Sequence, residues 1–141
     1  MESQGHAARE EHARDRGRGP VLRLLVRDLA GALAFQREVL GAEVVHAGAR
    51  TTSVHCAGAS WIVIADAQSE LPALREIAGF VVRRGAGLEI VLEGLDPRAV
   101  EERARSRGFG VLSPARIASD GATEAHVVDR DGYVWVARRR S

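Results

Sequence analysis

Five side chains combine a reactive or ligand-holding group with a place inside a short apolar run: Arg23, His55, Trp61, Glu89 and His126. A carboxylate such as Glu89 in apolar surroundings serves as a proton acceptor or as the counter-ion of a cationic ligand. A neighbouring cation such as Arg23 would instead hold it in an inert ion pair. His55 and His126 have the chemistry for proton transfer or metal binding, although histidines on strands are more often ordinary packing or surface residues. Trp61 offers a flat face for stacking on a planar ligand, and the same face fills a core equally well. Cys56 is the one cysteine. That excludes an internal disulfide framework and every cysteine-rich zinc site, and Cys56 reads as a small buried hydrophobe in a reducing compartment.

Two similar sets of elements are available to position these groups. Val21 to Arg27 has strand length and β-branched texture, with Leu22, Leu24 and Val26 on one face and Val21, Arg23 and Leu25 on the other. Asp28 follows as a helix N-cap. Leu29, Ala32, Leu33, Phe35, Val39 and Leu40 then form an apolar helical face that ends at Gly41. Strands are expected from Glu43 to His46, Thr51 to Cys56 and Trp61 to Asp66, punctuated by Gly48 and Gly58. Gln68 to Gly85 reads as a short connecting helix or an irregular crossover. The first pattern then recurs. Leu88, Ile90 and Leu92 face a helix and leave Glu89, Val91 and Glu93 on the opposite side of their strand. Asp96 caps, Pro97 sits in the first turn, and Val100 and Ala104 supply the apolar stripe before Gly108. Phe109 to Leu112, Thr123 to Val128 and Tyr133 to Arg138 complete three more strands.

The interval from Asp28 to Gly41 nearly equals that from Asp96 to Gly108, so one βαβββ module is used twice, over about 20–67 and 86–141. The expected fold class is α+β: two βαβββ modules forming a curved, cup-like mixed sheet with helices on the outer face, in a single domain over 20–141. Two such modules enclose a shared concave surface, within one chain or across two. Trp61 and Val63 are expected to line it together with Arg23, Glu89, Glu93, His55, His126 and Arg138. Met1 to Gly19 has almost no large apolar side chain and reads as a disordered tail with no secretory signal.

Composition sets the outer limits. A chain of 141 residues that is 45% hydrophobic fills one core and contains no bilayer span. Twenty basic against 19 acidic residues leave a net charge of +1, too weak a field to hold a phosphate backbone, so nucleic acid is not an expected partner. A cytoplasmic location is expected.

Val26, Arg27, Asp28, the run from Leu29 to Phe35, and then Leu40, Gly41, Ala42 and Glu43 resemble the first-module signature of the vicinal oxygen chelate superfamily. That superfamily joins glyoxalases, bleomycin-resistance proteins, extradiol dioxygenases and fosfomycin-resistance enzymes. Asp129, Arg130, Asp131, Gly132, Tyr133, Val134 and Trp135 resemble its aspartate, proline, aspartate, glycine turn before the last strand, with Arg130 in place of the proline. The resemblance implies that metal-dependent members place ligands on the first strand of each module, seven residues before the capping aspartate, and on the last strand of each. Here those positions hold Val21, Glu89, a residue near Val63, and Val136. One carboxylate among three valines does not replace a cation's hydration shell. The chain therefore resembles a bleomycin-resistance-like, non-metal member, with no cofactor expected, and desolvation among those valines is expected to raise the Glu89 pKa. A displaced metal site drawn from His55, Cys56, His126, Glu124 and Glu89 has no spacing motif behind it.

The expected function is metal-free binding of a small organic ligand, a drug or natural product, by a homodimer. Arg23, His55, Trp61, Glu89 and His126 are the expected contacts, with no nucleic-acid or membrane partner. A lyase- or isomerase-type enzyme of the same fold, using Glu89 as base or a relocated metal, is the alternative. A partner-binding module with no small ligand is a third reading.

Overall fold

The structure is a computed structural model and describes residues 19–141, so the tail expected over Met1 to Gly19 lies outside the described residues except for its last position. In chain order the elements are β1 (Arg23–Val26), α1 (Leu29–Glu38), β2 (Glu43–Ala47), β3 (Thr52–Cys56), β4 (Ala59–Ala65), α2 (Pro72–Phe80), β5 (Glu89–Glu93), α3 (Pro97–Ser106), β6 (Gly110–Ile117), β7 (Thr123–Val128) and β8 (Val134–Arg139). A single 3-10 turn, Asp66–Gln68, separates β4 from α2. In the first module β1 pairs parallel with β4, and β3 and β2 extend the sheet antiparallel, giving the order β1-β4-β3-β2. The second module repeats this as β5-β8-β7-β6. The fold is therefore the α+β arrangement of two βαβββ modules, each with its own four-stranded mixed sheet.

Local chemistry accounts for most element boundaries. The Asp96 carboxylate accepts the Arg98 and Ala99 amides at 3.0 and 3.4 Å, and Pro97 needs no amide partner, so α3 starts where the sequence says it should. Asp28 holds the matching N-cap position of α1, but its side chain makes no capping bond, contrary to expectation. β6 runs well past Leu112 to Ile117, because register shifts between Val111 and Ser113 and between Ser113 and Arg116 carry the pairing with β7 beyond Pro114.

Pairing registers decide which residues share a face. On the first sheet Leu24 pairs with Val63, which pairs with Thr52, and Val54 pairs with Trp61. These residues are buried under α1 with Phe35, Val39 and Leu40. On the second sheet Ile90 pairs with Trp135 and Leu92 with Ala137, under Val100 and Ala104 of α3. The two helix-covered faces then share one core. The Trp61 and Trp135 rings lie 5.0 Å apart, Phe35 meets Phe109 edge-on at 4.8 Å, and the Arg103 guanidinium on α3 donates to the Val39 carbonyl beyond α1 at 2.9 Å. Gln36 is buried because its side-chain oxygen accepts the Trp61 indole N–H at 3.0 Å.

The junction between modules is built by the β7–β8 turn. Asp129 Oδ1 accepts the amides of Asp131 and Tyr133, and its Oδ2 accepts the Trp135 indole, at 3.0, 3.0 and 2.9 Å. The turn so fixed aims two groups at β1 and the residue after it. The Asp131 carboxylate accepts the Arg27 amide at 3.0 Å, and the buried Tyr133 hydroxyl donates to the Leu25 carbonyl at 2.8 Å. The chain before β5 packs against the same turn. A Cβ on Gly132, which has φ +94°, would sit 2.6 Å from the Arg83 Cα, so the turn and the linker touch backbone to backbone.

Burial, reinforced by the Asp131, Asp129 and Asp66 carboxylates and opposed by Arg84, pushes the Tyr133 phenol up to about 12. The folded state keeps a proton that the unfolded chain releases near its ordinary value of about 10. The stabilisation is therefore complete below that value and is lost as pH rises through about 12. Tyr133 is the single tyrosine, so ultraviolet phenolate absorbance is expected to give a midpoint near 12 for the folded protein. A midpoint at the ordinary tyrosine value with the fold intact would contradict the buried hydrogen bond. Gly132→Ala is expected to lose roughly 2–4 kcal/mol in urea unfolding, from left-handed backbone strain and collision with Arg83. A loss below about 0.5 kcal/mol would mean that turn and linker do not touch.

Candidate functional site

Each sheet has a helix-free face, and the expected polar groups divide between the two. On the second sheet the register aligns Glu89 with Val134, Val91 with Val136 and Glu93 with Arg138 across β5 and β8, and His126 with Val136 and Glu124 with Arg138 across β7 and β8. The first sheet aligns Arg23 with Ile62, Leu25 with Ile64, and His55 with Ser60. Because the helix-covered faces meet in the shared core, these helix-free faces are turned away from one another within one chain. Arg23 and His55 consequently do not meet Glu89, His126 or Arg138.

Glu89 pairs with His126, the imidazole Nε2 lying 3.0 Å from the carboxylate Oε2. The His126 side chain is largely buried, and its Nδ1 is fully buried with no partner. A proton on Nε2 therefore suits both groups, since a buried N–H at Nδ1 would be left without an acceptor. Glu89 itself is 59% exposed. The expected desolvated carboxylate among Val21, Val63 and Val136 is thus corrected. Glu89 opens β5, an edge strand, where water reaches it, and Val63 lies on the helix-covered face of the other sheet. The alternative ion pair with Arg23 is corrected as well, because the partner is His126.

Beside this pair sits a denser charge cluster. The buried Arg138 guanidinium donates to Glu93 at 2.8 Å, to Glu124 at 2.6 Å, and to Asp120. Hydrogen bonding to Arg138 is the main reason that the Asp120 carboxyl is lowered to about 2, with the Ala122 amide adding to it. The same three acids raise the Arg138 pKa, so its charge is permanent. Arg140 also reaches Asp120 at 3.4 Å and Arg116 is aligned with Glu124, so the face sets four carboxylates, Glu89, Glu93, Glu124 and Asp120, against three arginines. Asp120 was missed by sequence reading, since it lies on the β6–β7 turn and only the fold brings it to β8.

The helix-free face of the first sheet holds fewer charges, with Glu43 aligned beside His55. Arg23 is exposed and forms no ion pair among the described residues, and His55 Nδ1 lies 3.2 Å from the Ser60 hydroxyl. Trp61 is corrected in placement. At 2% exposure, with its indole bonded to Gln36, it is a core residue and Ile62 takes the helix-free side. A shift of one residue in the predicted strand phase accounts for the difference.

The residues present do not fit a metal ion. The implied ligand positions carry Val21, Ile62 beside Val63, and Val136, leaving the Glu89–His126 pair, and no group of three or more acidic, histidine or cysteine side chains converges among the described residues. The displaced set fails for a geometric reason. Cys56 is buried on the helix-covered face, donating to the Leu40 carbonyl, and His55 lies on the other sheet from His126 and Glu124. A hollow of about 70 Å³ beside Arg27, Phe35 and Asp131 is too small for a drug-sized ligand. A second, lined by Asp96, Arg98 and Arg139, contains none of the expected contacts. No helix among the described residues is long and apolar enough to cross a membrane.

No protein-family model matches the sequence, and no curated protein matches it. Solved structures do. TioX from Micromonospora sp. ML1 is 17% identical, with 87% of this chain and 96% of that chain covered at a TM-score of 0.65. A glyoxalase-related enzyme from Fulvimarina pelagi is 20% identical over 86% and 88% of the two chains at 0.64. The fosfomycin resistance protein FosX from Listeria monocytogenes is 16% identical over 87% and 93% at 0.64. At these identities the likeness is one of fold, and this chain has the fold of these solved structures.

Proposed function

We propose that two copies of this chain bind a small organic molecule without a metal, between the helix-free face of the first sheet in one copy and that of the second sheet in the other. The observation that carries this reading is the set of side chains at the implied metal positions: Val21, Ile62 and Val136 supply no donor atoms, Val21 and Ile62 offer apolar contact area, and Val136 is buried beneath the surface. Charge favours their pairing, since Arg23 on one forms no ion pair among the described residues and the other carries four carboxylates to three arginines. Val21 and Val91, each about half exposed, add apolar wall to either side. Sequestration of a drug or natural product in the cytoplasm is the role that suits such a site, and a solved structure of similar fold is named as a fosfomycin resistance protein.

A lyase- or isomerase-type enzyme is the second reading, favoured by the Glu89–His126 pair. A carboxylate that fixes one imidazole tautomer is a recurrent arrangement for proton transfer.

Metal analysis of the purified protein is expected to find no stoichiometric ion, and a chelator is expected to leave the melting temperature unchanged. In a thermal-shift screen of natural products, a ligand at 100 times its Kd should stabilise the folded state by about 2.7 kcal/mol. Glu89→Gln removes an exposed pair and should change stability by only about 0–1 kcal/mol. It should weaken a cationic ligand by about tenfold or more, because a charge-assisted contact is lost. Abolished turnover with binding intact would move the assignment to the enzyme, and a tightly held stoichiometric metal would sink the metal-free reading.

A further inference from the structure

The segment between the modules is clasped at its base and unsupported along its length. Asp66, directly after β4, and Arg84 form a two-pronged ion pair at 2.6 and 2.7 Å, and Arg84 is itself buried. The Arg84 amide donates to the Asp131 carbonyl at 2.9 Å, and the Arg27 guanidinium donates to the carbonyls of Val81 and Val82. The chain therefore leaves and returns at one point on the rim of the first sheet, carrying α2 between. Helix α2 buries none of its nine residues. Its N-cap position, Leu71, gives no side-chain cap, and its first turn has no acid and its last no base. Isolated helices of this length are not stable in water without packing. Yet Leu71, Leu74, Ile77, Phe80 and Val82 are exposed, Phe80 by 84%. Such a run of apolar side chains marks a surface that another body covers.

Resting on the two-copy reading above, we infer that α2 is an arm that seats on a second copy of this chain, against the helix-free face of that copy's second sheet. Three observations select this occupant. A helix that needs its cover in order to form requires a partner present whenever the chain is, which a second copy satisfies. The arm is rooted immediately after β4, at the rim of the face proposed to oppose the partner's second sheet. Its charges lean the same way: exposed Arg75 and Arg83 have no ion partner among the described residues and outnumber the one acid beside them, Glu76, whereas the second sheet presents four carboxylates, Glu89, Glu93, Glu124 and Asp120, to three arginines, Arg116, Arg138 and Arg140. The exposed Val91 on that face offers apolar contact for the stripe.

The test combines sedimentation of the full chain with cysteine trapping. Ile77→Ser with Phe80→Ser changes only exposed side chains and is expected to raise the dimer dissociation constant about tenfold or more. Wild-type helicity should fall on dilution below that constant. Mixing separately purified Phe80→Cys and Val91→Cys proteins should yield a mixed disulfide dimer, with native Cys56 silent because burial raises its thiol pKa. An unchanged dissociation constant in the arm variant overturns the arm while leaving the face-to-face dimer standing. A Phe80→Cys homodimer formed in preference to the mixed one places arm on arm and overturns the proposed seat. A wild-type chain that stays monomeric at all concentrations overturns both readings.

Discussion

A single buried carboxylate sets the relation between the two halves of this protein. Asp129 is 7% exposed and would be costly to ionise there, and burial does raise its pKa. Three N–H donors, from Asp131, Tyr133 and the Trp135 indole, offset that cost. Those bonds determine the shape of the turn that presents Asp131 and Tyr133 to the first module. Everything on the second sheet takes its orientation from β8, which begins at that turn. Arg130 needs no special backbone in this turn because turn geometry rests on the Asp129 oxygens, and its guanidinium lies over the Phe109 ring at 5.4 Å.

Sharing the helix-covered faces has a direct consequence for function. Most of the large apolar side chains are drawn into one core, including both tryptophans, and the opposite faces are left with a mixture of valine, isoleucine and charge. Such faces lack donors for coordination but hold permanent charges at fixed positions. Arg138 cannot lose its proton, and Asp120 beside it stays ionised down to about 2. Recognition on these faces therefore follows shape and charge rather than metal preference, and the selectivity gained is for ligand polarity.

The sequence shows the repeat clearly because each half carries a strand with alternating apolar residues, an aspartate and a glycine-terminated helix. Those signals are local and depend on period alone. Cross-strand register is not local, which is why Trp61 and Val63 were expected on the wrong face while Leu24 and Ile90, assigned from strand periodicity, were placed correctly. Glu89 and His126 were both visible as candidates, but their pairing depends on β5 and β7 flanking β8, a relation between strands far apart in sequence. Asp120 and the Asp66–Arg84 clasp lie in turns and linkers, where hydropathy carries no information about partners. For Gln68 to Gly85 the sequence leaves a short helix and an irregular crossover both open; the fold makes it a helix, none of whose residues is buried.

The two modules are equivalent in backbone and different in charge. Aligned on their capping aspartates, Val21 corresponds to Glu89, Arg23 to Val91 and Leu25 to Glu93, while Ile62 and Ile64, opposite Arg23 and Leu25, correspond to Val136 and Arg138. Divergence of this kind would have no geometric use if each face met only water. It has one if the faces meet in pairs. A two-fold axis that brings the first sheet of one copy onto the second sheet of another necessarily does the same for the remaining two faces, giving a closed, isologous pair. In that arrangement Arg23, which has no ion partner among the described residues, meets a surface with more carboxylates than arginines twice, whereas pairing like with like would oppose Arg23 to its own copy. Electrostatics thus contributes to separating the productive pairing from its alternatives, and reversing the charge of Arg23 would remove that contribution.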